Sequence, residues 1–167
     1  MSTARVWIES LQLRPHPEGG WFSELYKSSE SVTANCLPER CGSDRSFCTA
    51  IYFLLDQFEF SALHRFQQDE LWHFYDGSAV TIHVIDVAGN AAQKVLGRDI
   101  ANGESLSHVV PAGSLFGATV NDTSSFSLVG CTVAPGFEFE DFELPQRTDL
   151  LEQYPQHSEL IKRLTRV

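Results

Sequence analysis

Positive charge is scarce in this chain. Twelve Lys and Arg stand against 22 Asp and Glu, a formal charge of −10 over 167 residues. A surface of that sign repels phosphate backbones and anionic lipid, which argues against a nucleic-acid partner and against a membrane-surface role. Long apolar runs are missing as well, and no stretch approaches the length of a membrane span. The opening MSTARVWIESLQL carries one Arg and no apolar run, so it is not expected to be a signal peptide. Cysteine is sparse. Cys36, Cys41, Cys48 and Cys131 lack the tight pairwise spacing of a metal site, and free thiols in a reducing, cytoplasmic compartment are expected. Cys48 and Cys131 sit in apolar strand patterns and read as core. There is no glycine-rich phosphate loop, no alternation of strand and helix patterns and no internal repeat, so a Rossmann-type fold is excluded.

What the chain does have is 43% apolar and 20% charged residues, an ordinary globular composition. Its length suits a single domain spanning residues 1–167 with one sizeable core. A short amphipathic helix is expected over about 2–13, capped by Ser2 or Thr3, with Val6, Ile8, Leu11 and Trp7 on its apolar side and Pro15 and Pro17 beyond its end. Gly19–Gly20 then permits a tight entry into a strand, Trp21–Tyr26. Ser28–Ser46 shows no period and reads as a long loop, of the kind that serves as a lid or a partner contact. From Cys48 onward short strands follow one another: 48–55, 61–66, 71–76, 80–86, 92–97, 106–110, 114–120, 126–133 and 137–144. Turn signals separate them, and Gly89–Asn90 and Pro135–Gly136 are the plainest. The tail, about 148–165, reads as short helices broken at Pro155. Many short strands with helices only at the ends argue an all-β sandwich or barrel over about 20–144.

Chemistry concentrates in SALHRFQQDELWHFYDG, residues 61–77. Strand parity places Ala62, His64 and Phe66 on one face, and Glu70, Trp72 and Phe74 on one face of the next strand. If those faces point inward, an imidazole and a carboxylate share a cavity walled by aromatics. Such a pair can hold a ligand as an oriented acid–base unit, ligate a metal, or satisfy itself as a buried hydrogen bond. Phe66, Trp72, Phe74 and Phe116 read as core or as ligand-contacting wall. His16 and Glu18 read as loop-positioning hydrogen bonders or as lining for the pocket mouth. His73, His83, His108 and His157 read as surface or rim residues, and Glu138, Glu140, Asp141 and Glu143 as a solvated strand edge.

The frame His64, Glu70, Gly77 resembles the first motif of the cupin superfamily, and Pro111-Ala-Gly113 resembles the second. More narrowly, the blocks HPEGGWFSELY (16–26), ALHRFQQDELWHFYDG (62–77) and LVGCTVAPGFEFEDFEL (128–144) are similar to the Cupin 5, or DUF985, family. That resemblance implies a double-stranded β-helix jelly roll, a pocket at one mouth and a homodimer; it supplies no reaction. The Trp21–Tyr26 strand is a candidate for pairing with a partner's sheet. Two of the four ligand positions of a metallocupin depart from the pattern, since Phe66 and Phe116 stand where His would be and a phenyl ring offers no lone pair. No metal and no cofactor are therefore expected.

A shorter likeness, in Glu18-Gly-Gly-Trp-Phe-Ser-Glu24 and the lone His64, is to the metal-free dTDP-sugar 3,5-epimerases. It implies His64 as base, Glu70 as its orienter and Tyr75 or Tyr52 as acid. The leading expectation is a metal-independent cupin that binds a small polar ligand, such as a sugar or sugar nucleotide, and isomerises it. A non-catalytic binder or sensor, and a degraded metallocupin holding an ion through His64 and Glu70, are the alternatives.

Overall fold

The computed structural model describes residues 3–166. Period-two alternation decides how each strand faces. In Glu70–Gly77, the residues Glu70, Trp72 and Phe74 are buried while Leu71 and Tyr75 are exposed. Among the described residues twelve strands form in chain order: β1 (Arg14–Pro15), β2 (Trp21–Lys27), β3 (Ser31–Val32), β4 (Arg45–Ser46), β5 (Thr49–Leu55), β6 (Phe60–His64), β7 (Glu70–Gly77), β8 (Val80–Ile85), β9 (Ala91–Leu96), β10 (Ser107–Val110), β11 (Leu115–Val120) and β12 (Ser127–Val133). A first sheet has the order β1-β2-β5-β12-β7-β10, a second β6-β11-β8-β9, and β3-β4 is a small ribbon. Neighbouring strands pair antiparallel throughout. The two larger sheets face each other as a jelly-roll barrel around a core that includes Phe53, Phe66, Trp72, Ile82, Phe116 and Val129.

Helices cover the outside. Helix α1 (Thr3–Ser10) lays Ala4, Trp7 and Ile8 over Leu54 and Leu128 of the first sheet. Helices α2 (Arg147–Gln153) and α3 (Ser158–Arg163) seat Leu150 and Ile161, with Leu164, on Leu63, Ile85 and Leu115 of the second. Each such apolar side chain contributes roughly 1.5–3 kcal/mol on burial. No helix among the described residues is long and apolar enough to cross a membrane.

Several expectations are corrected. Strands β6 and β7 are not neighbours. β6 pairs with β11 and β7 pairs with β12 and β10, so the segment 65–69 crosses between sheets and His64 and Glu70 lie on opposite ones. Residues 137–144 form no strand; a 3-10 turn occupies Phe139–Asp141. The long loop is pinned by β3 and β4 and by two 3-10 turns. Val6 is 56% exposed, off the apolar side of α1. His83 is buried, beside Thr119 and under Arg163 of α3. The capping role of Ser2 and the side chain of Thr3 lie outside the described residues.

Candidate functional site

The site begins with a turn. Gly19 and Gly20 adopt φ of 108° and 72°, a region that side chains disfavour. A Cβ on Gly20 would meet the Leu54 carbonyl oxygen at 2.7 Å. Glycine therefore lets the chain press Glu18 against β6. The Ala62 N–H donates to the Glu18 carbonyl oxygen at 2.9 Å, and Ser61 Oγ donates to Glu18 Oε1 at 2.7 Å. Glu18 Oε2 then lies 3.1 Å from His64 Nε2 and 3.4 Å from His16 Nδ1.

The proton arrangement follows from the partners. His64 Nδ1 is 2.8 Å from the Ala62 carbonyl oxygen, an acceptor only, so Nδ1 carries the ring proton. Nε2 is then a lone pair, and Glu18 Oε2 must supply the proton between them. Burial drives both groups the same way: it pushes the Glu18 carboxyl well above the usual range and lowers His64 to about 3. Desolvation likewise lowers His16 to about 4, helped by the Arg14 charge. The pair is a neutral acid donating to a neutral imidazole.

Glu70 opens β7 from the other sheet. Its Oε2 accepts from Trp72 Nε1 at 2.6 Å, and Cys131 lines the same cavity beside it. Burial raises Glu70 to about 7, against the opposing pull of Trp72 and Cys131. A cavity of about 100 Å³ joins these groups. Since an apolar cavity of about 150 Å³ can hold benzene, this one suits a ligand of about four or five heavy atoms. Exposed Arg14 and Glu24 stand at its mouth. Phe137, Phe139 and Phe142 close over it, and the Phe142 ring lies 5.4 Å from that of His64.

Of the residues singled out by sequence, His64, Glu70, Phe66, Trp72 and Glu18 line this cavity. Phe116 lies behind His64, ring centroids 4.1 Å apart, as packing rather than lining. Phe74 is buried in the core, with the Arg98 guanidinium over its ring. Tyr52 and Tyr75 are not at the cavity, which corrects the acid role expected of them. They alternate with Phe53 and Phe74 on their strands and so face outward, stacked edge to face at 6.0 Å. His64 pairs with Glu18 rather than with Glu70. Sequence reasoning missed Arg14, Glu24, Cys131, Phe137, Phe139 and Phe142 as lining, and gave His16 only as an alternative. All but Arg14 fall within the outer two blocks that resemble the family, 16–26 and 128–144, which were the available signal.

A metallocupin ion does not fit this donor set. His64 Nδ1 is committed to Ala62 and Nε2 to Glu18, and the rings of Phe66 and Phe116 flank the imidazole. Among the described residues no three His, Cys, Asp or Glu are disposed to hold a metal.

The family model described as Cupin superfamily (DUF985) matches residues 5–145. A protein from Shewanella oneidensis superposes with a TM-score of 0.89 at 39% identity, over 99% of each chain. A hypothetical protein from Leishmania major does so with a TM-score of 0.90 at 36% identity, over 99% of this chain and 100% of that one. Oxalate decarboxylase from Bacillus subtilis shares the fold at 14% identity and a TM-score of 0.55, over 90% of this chain and 36% of that one. No curated protein matches the sequence.

Proposed function

Because the chain belongs to the DUF985 family of the cupin superfamily, a fold that hosts many chemistries in one barrel, we propose a function from the site: a metal-independent proton-transfer enzyme of isomerase type, acting on a small polar ligand. The observation that carries this reading is the set of buried carboxyls, Glu18 and Glu70, set apart in one cavity. Glu18 stays protonated and hydrogen-bonded to His64; Glu70 sits near 7.

That separation suggests the roles. Glu70 takes a proton from a carbon next to a carbonyl, and Glu18 turns its one O–H from His64 Nε2 to the oxygen on which charge develops. Glu70 then returns the proton to the neighbouring carbon, while Glu18 gives its proton to one substrate oxygen and takes the hydroxyl proton from the other, so that both carboxyls end as they began. A carboxylic acid kept neutral is a known device for the second role, and a base near the working pH for the first. This moves the base from His64, since an imidazole lowered to about 3 is a weak proton acceptor. His64 holds Glu18 in place instead. Trp72 and Phe66 are proposed as walls. A whole sugar nucleotide exceeds the cavity and would need the Phe137–Phe142 segment to swing away.

Carbon-bound deuterium uptake from D2O, followed by proton NMR on small hydroxyketones, tests the reading. Exchange is expected from the native protein, rising as pH passes through about 7 where Glu70 ionises, and unaffected by chelator. Glu70→Gln should lower it by a factor of about 10² or more. Binding without exchange would favour a non-catalytic sensor, and loss with chelator a metal enzyme. We further propose that the molecule is a homodimer.

A further inference from the structure

Among the described residues, Arg14 is the cavity-mouth cation that makes no ion pair or hydrogen bond. The chain has nine arginines. Among the described residues, eight hold a carboxylate, carbonyl, hydroxyl or imidazole through Glu9, Gln67, Asp141, Glu143, Asp76, Thr165, His83 or Phe60. Arg14 makes no such bond there. Its guanidinium lies 4.9 Å from the centroid of Phe22, itself a lining residue. In a molecule of charge −10, a cation that finds no carboxylate yet is steadied on an aromatic face at a cavity mouth is placed for an incoming anion.

The floor has the opposite character. Glu18, His16 and His64 are all held neutral by burial, and no cationic side chain lies among them. A charged ligand group would lose its hydration there without a counter-ion. The part of a ligand that enters must therefore be uncharged and oxygenated, while its anionic part stays at the rim. Glu24 also lines the rim, so a second negative charge on the ligand is opposed.

Resting on the proposed use of this cavity, we propose that its ligand is a small monocarboxylate carrying a keto or hydroxyl group. Arg14 binds the carboxylate, and the uncharged end sits among Glu18, His64 and Glu70.

Three probes share a hydroxyketone head and differ in charge: dihydroxyacetone, hydroxypyruvate and dihydroxyacetone phosphate. Calorimetric titration of the full chain is expected to show hydroxypyruvate binding about tenfold or more tighter than dihydroxyacetone, the worth of a charge-assisted hydrogen bond. The advantage should shrink with added salt. Arg14→Gln, at an exposed position, should erase the difference between the two. Glu24→Gln should improve the phosphate ester most. Equal affinities, or a preference that survives Arg14→Gln, would overturn the anchor while bound dihydroxyacetone left the cavity reading standing. If none of the three binds at millimolar concentration, both fall.

Discussion

The buried carboxyl of Glu70 stores a cost that one substitution can reveal. Its folded-state pKa is raised from 4.5 to about 7. Between those values the folded chain holds a proton that the unfolded chain has released, so stability falls as pH rises through the window. The loss reaches about 3 kcal/mol above pH 7, at about 1.4 kcal/mol per unit. Glu70→Gln keeps an oxygen for Trp72 and removes the ionisation. The variant is expected to be more stable than the native protein at pH 8, by about 1–3 kcal/mol, and no more stable near pH 4.5. Urea unfolding at both values checks this, and a difference independent of pH would show that Glu70 ionises freely. A gain in stability coupled to a loss of exchange is what a strained catalytic group predicts. At this scale sequence reading reached His64, Glu70 and Glu18 but not their pairing. Parity tells which face a side chain takes, not which strand lies opposite, and Glu18 reaches His64 through a glycine turn whose path no periodicity encodes.

Among the elements, the segment from Phe137 to Glu143 departs most from its pattern. Phe-Glu-Phe-Glu-Asp-Phe has some of the alternation of a strand, and the other strands, read in the same way, are found within a residue or two. Here a buried cation overrides the pattern. Arg45, 1% exposed, is held bidentately by Asp141 at 2.7 and 3.1 Å, and Gln68 donates to the same carboxylate at 2.8 Å. Glu140 adds a contact at 3.1 Å, while Lys27–Glu138 and Arg65–Glu143 tie the two ends. The acidic residues expected to be a solvated edge are thus the fastenings of a strap, and its phenylalanines turn inward over His16 and His64. Removing Asp141 takes away the bidentate partner of a buried guanidinium and leaves it Glu140, Ser43 and the Asp44 carbonyl. Asp141→Ala is expected to cost about 3–5 kcal/mol in urea unfolding, whereas Arg45→Met with Asp141→Leu should recover most of it. A loss under about 1 kcal/mol for the single variant would mean that the strap is held by its aromatics instead.

Over the whole molecule, the outer face of the first sheet is only half covered. Helix α1 packs over Tyr52 and Leu54 at one end. At the other, strand registers align Tyr26, Ala50, Thr132, Leu71 and Val109 in one row across β2, β5, β12, β7 and β10. Tyr26, Leu71 and Val109 are each between 39% and 52% exposed. Strand spacing makes the row about 19 Å wide, and a largely apolar stripe of that breadth fits a self-complementary interface, which needs about 800 Å² from each partner. Edge pairing through β2 is a poorer route, because β1 already occupies that edge at Trp21 and Phe22. The proposed homodimer therefore joins face to face and leaves the cavity, on the inner side of the same sheet, open in both copies. Light scattering at micromolar concentration is expected to give twice the 18.7 kDa chain mass. Leu71→Glu should halve that value without unfolding the barrel, since the side chain already meets water in the single chain. A native protein of single-chain mass at that concentration would remove the dimer, and a Leu71→Glu protein that stays dimeric would move the interface elsewhere.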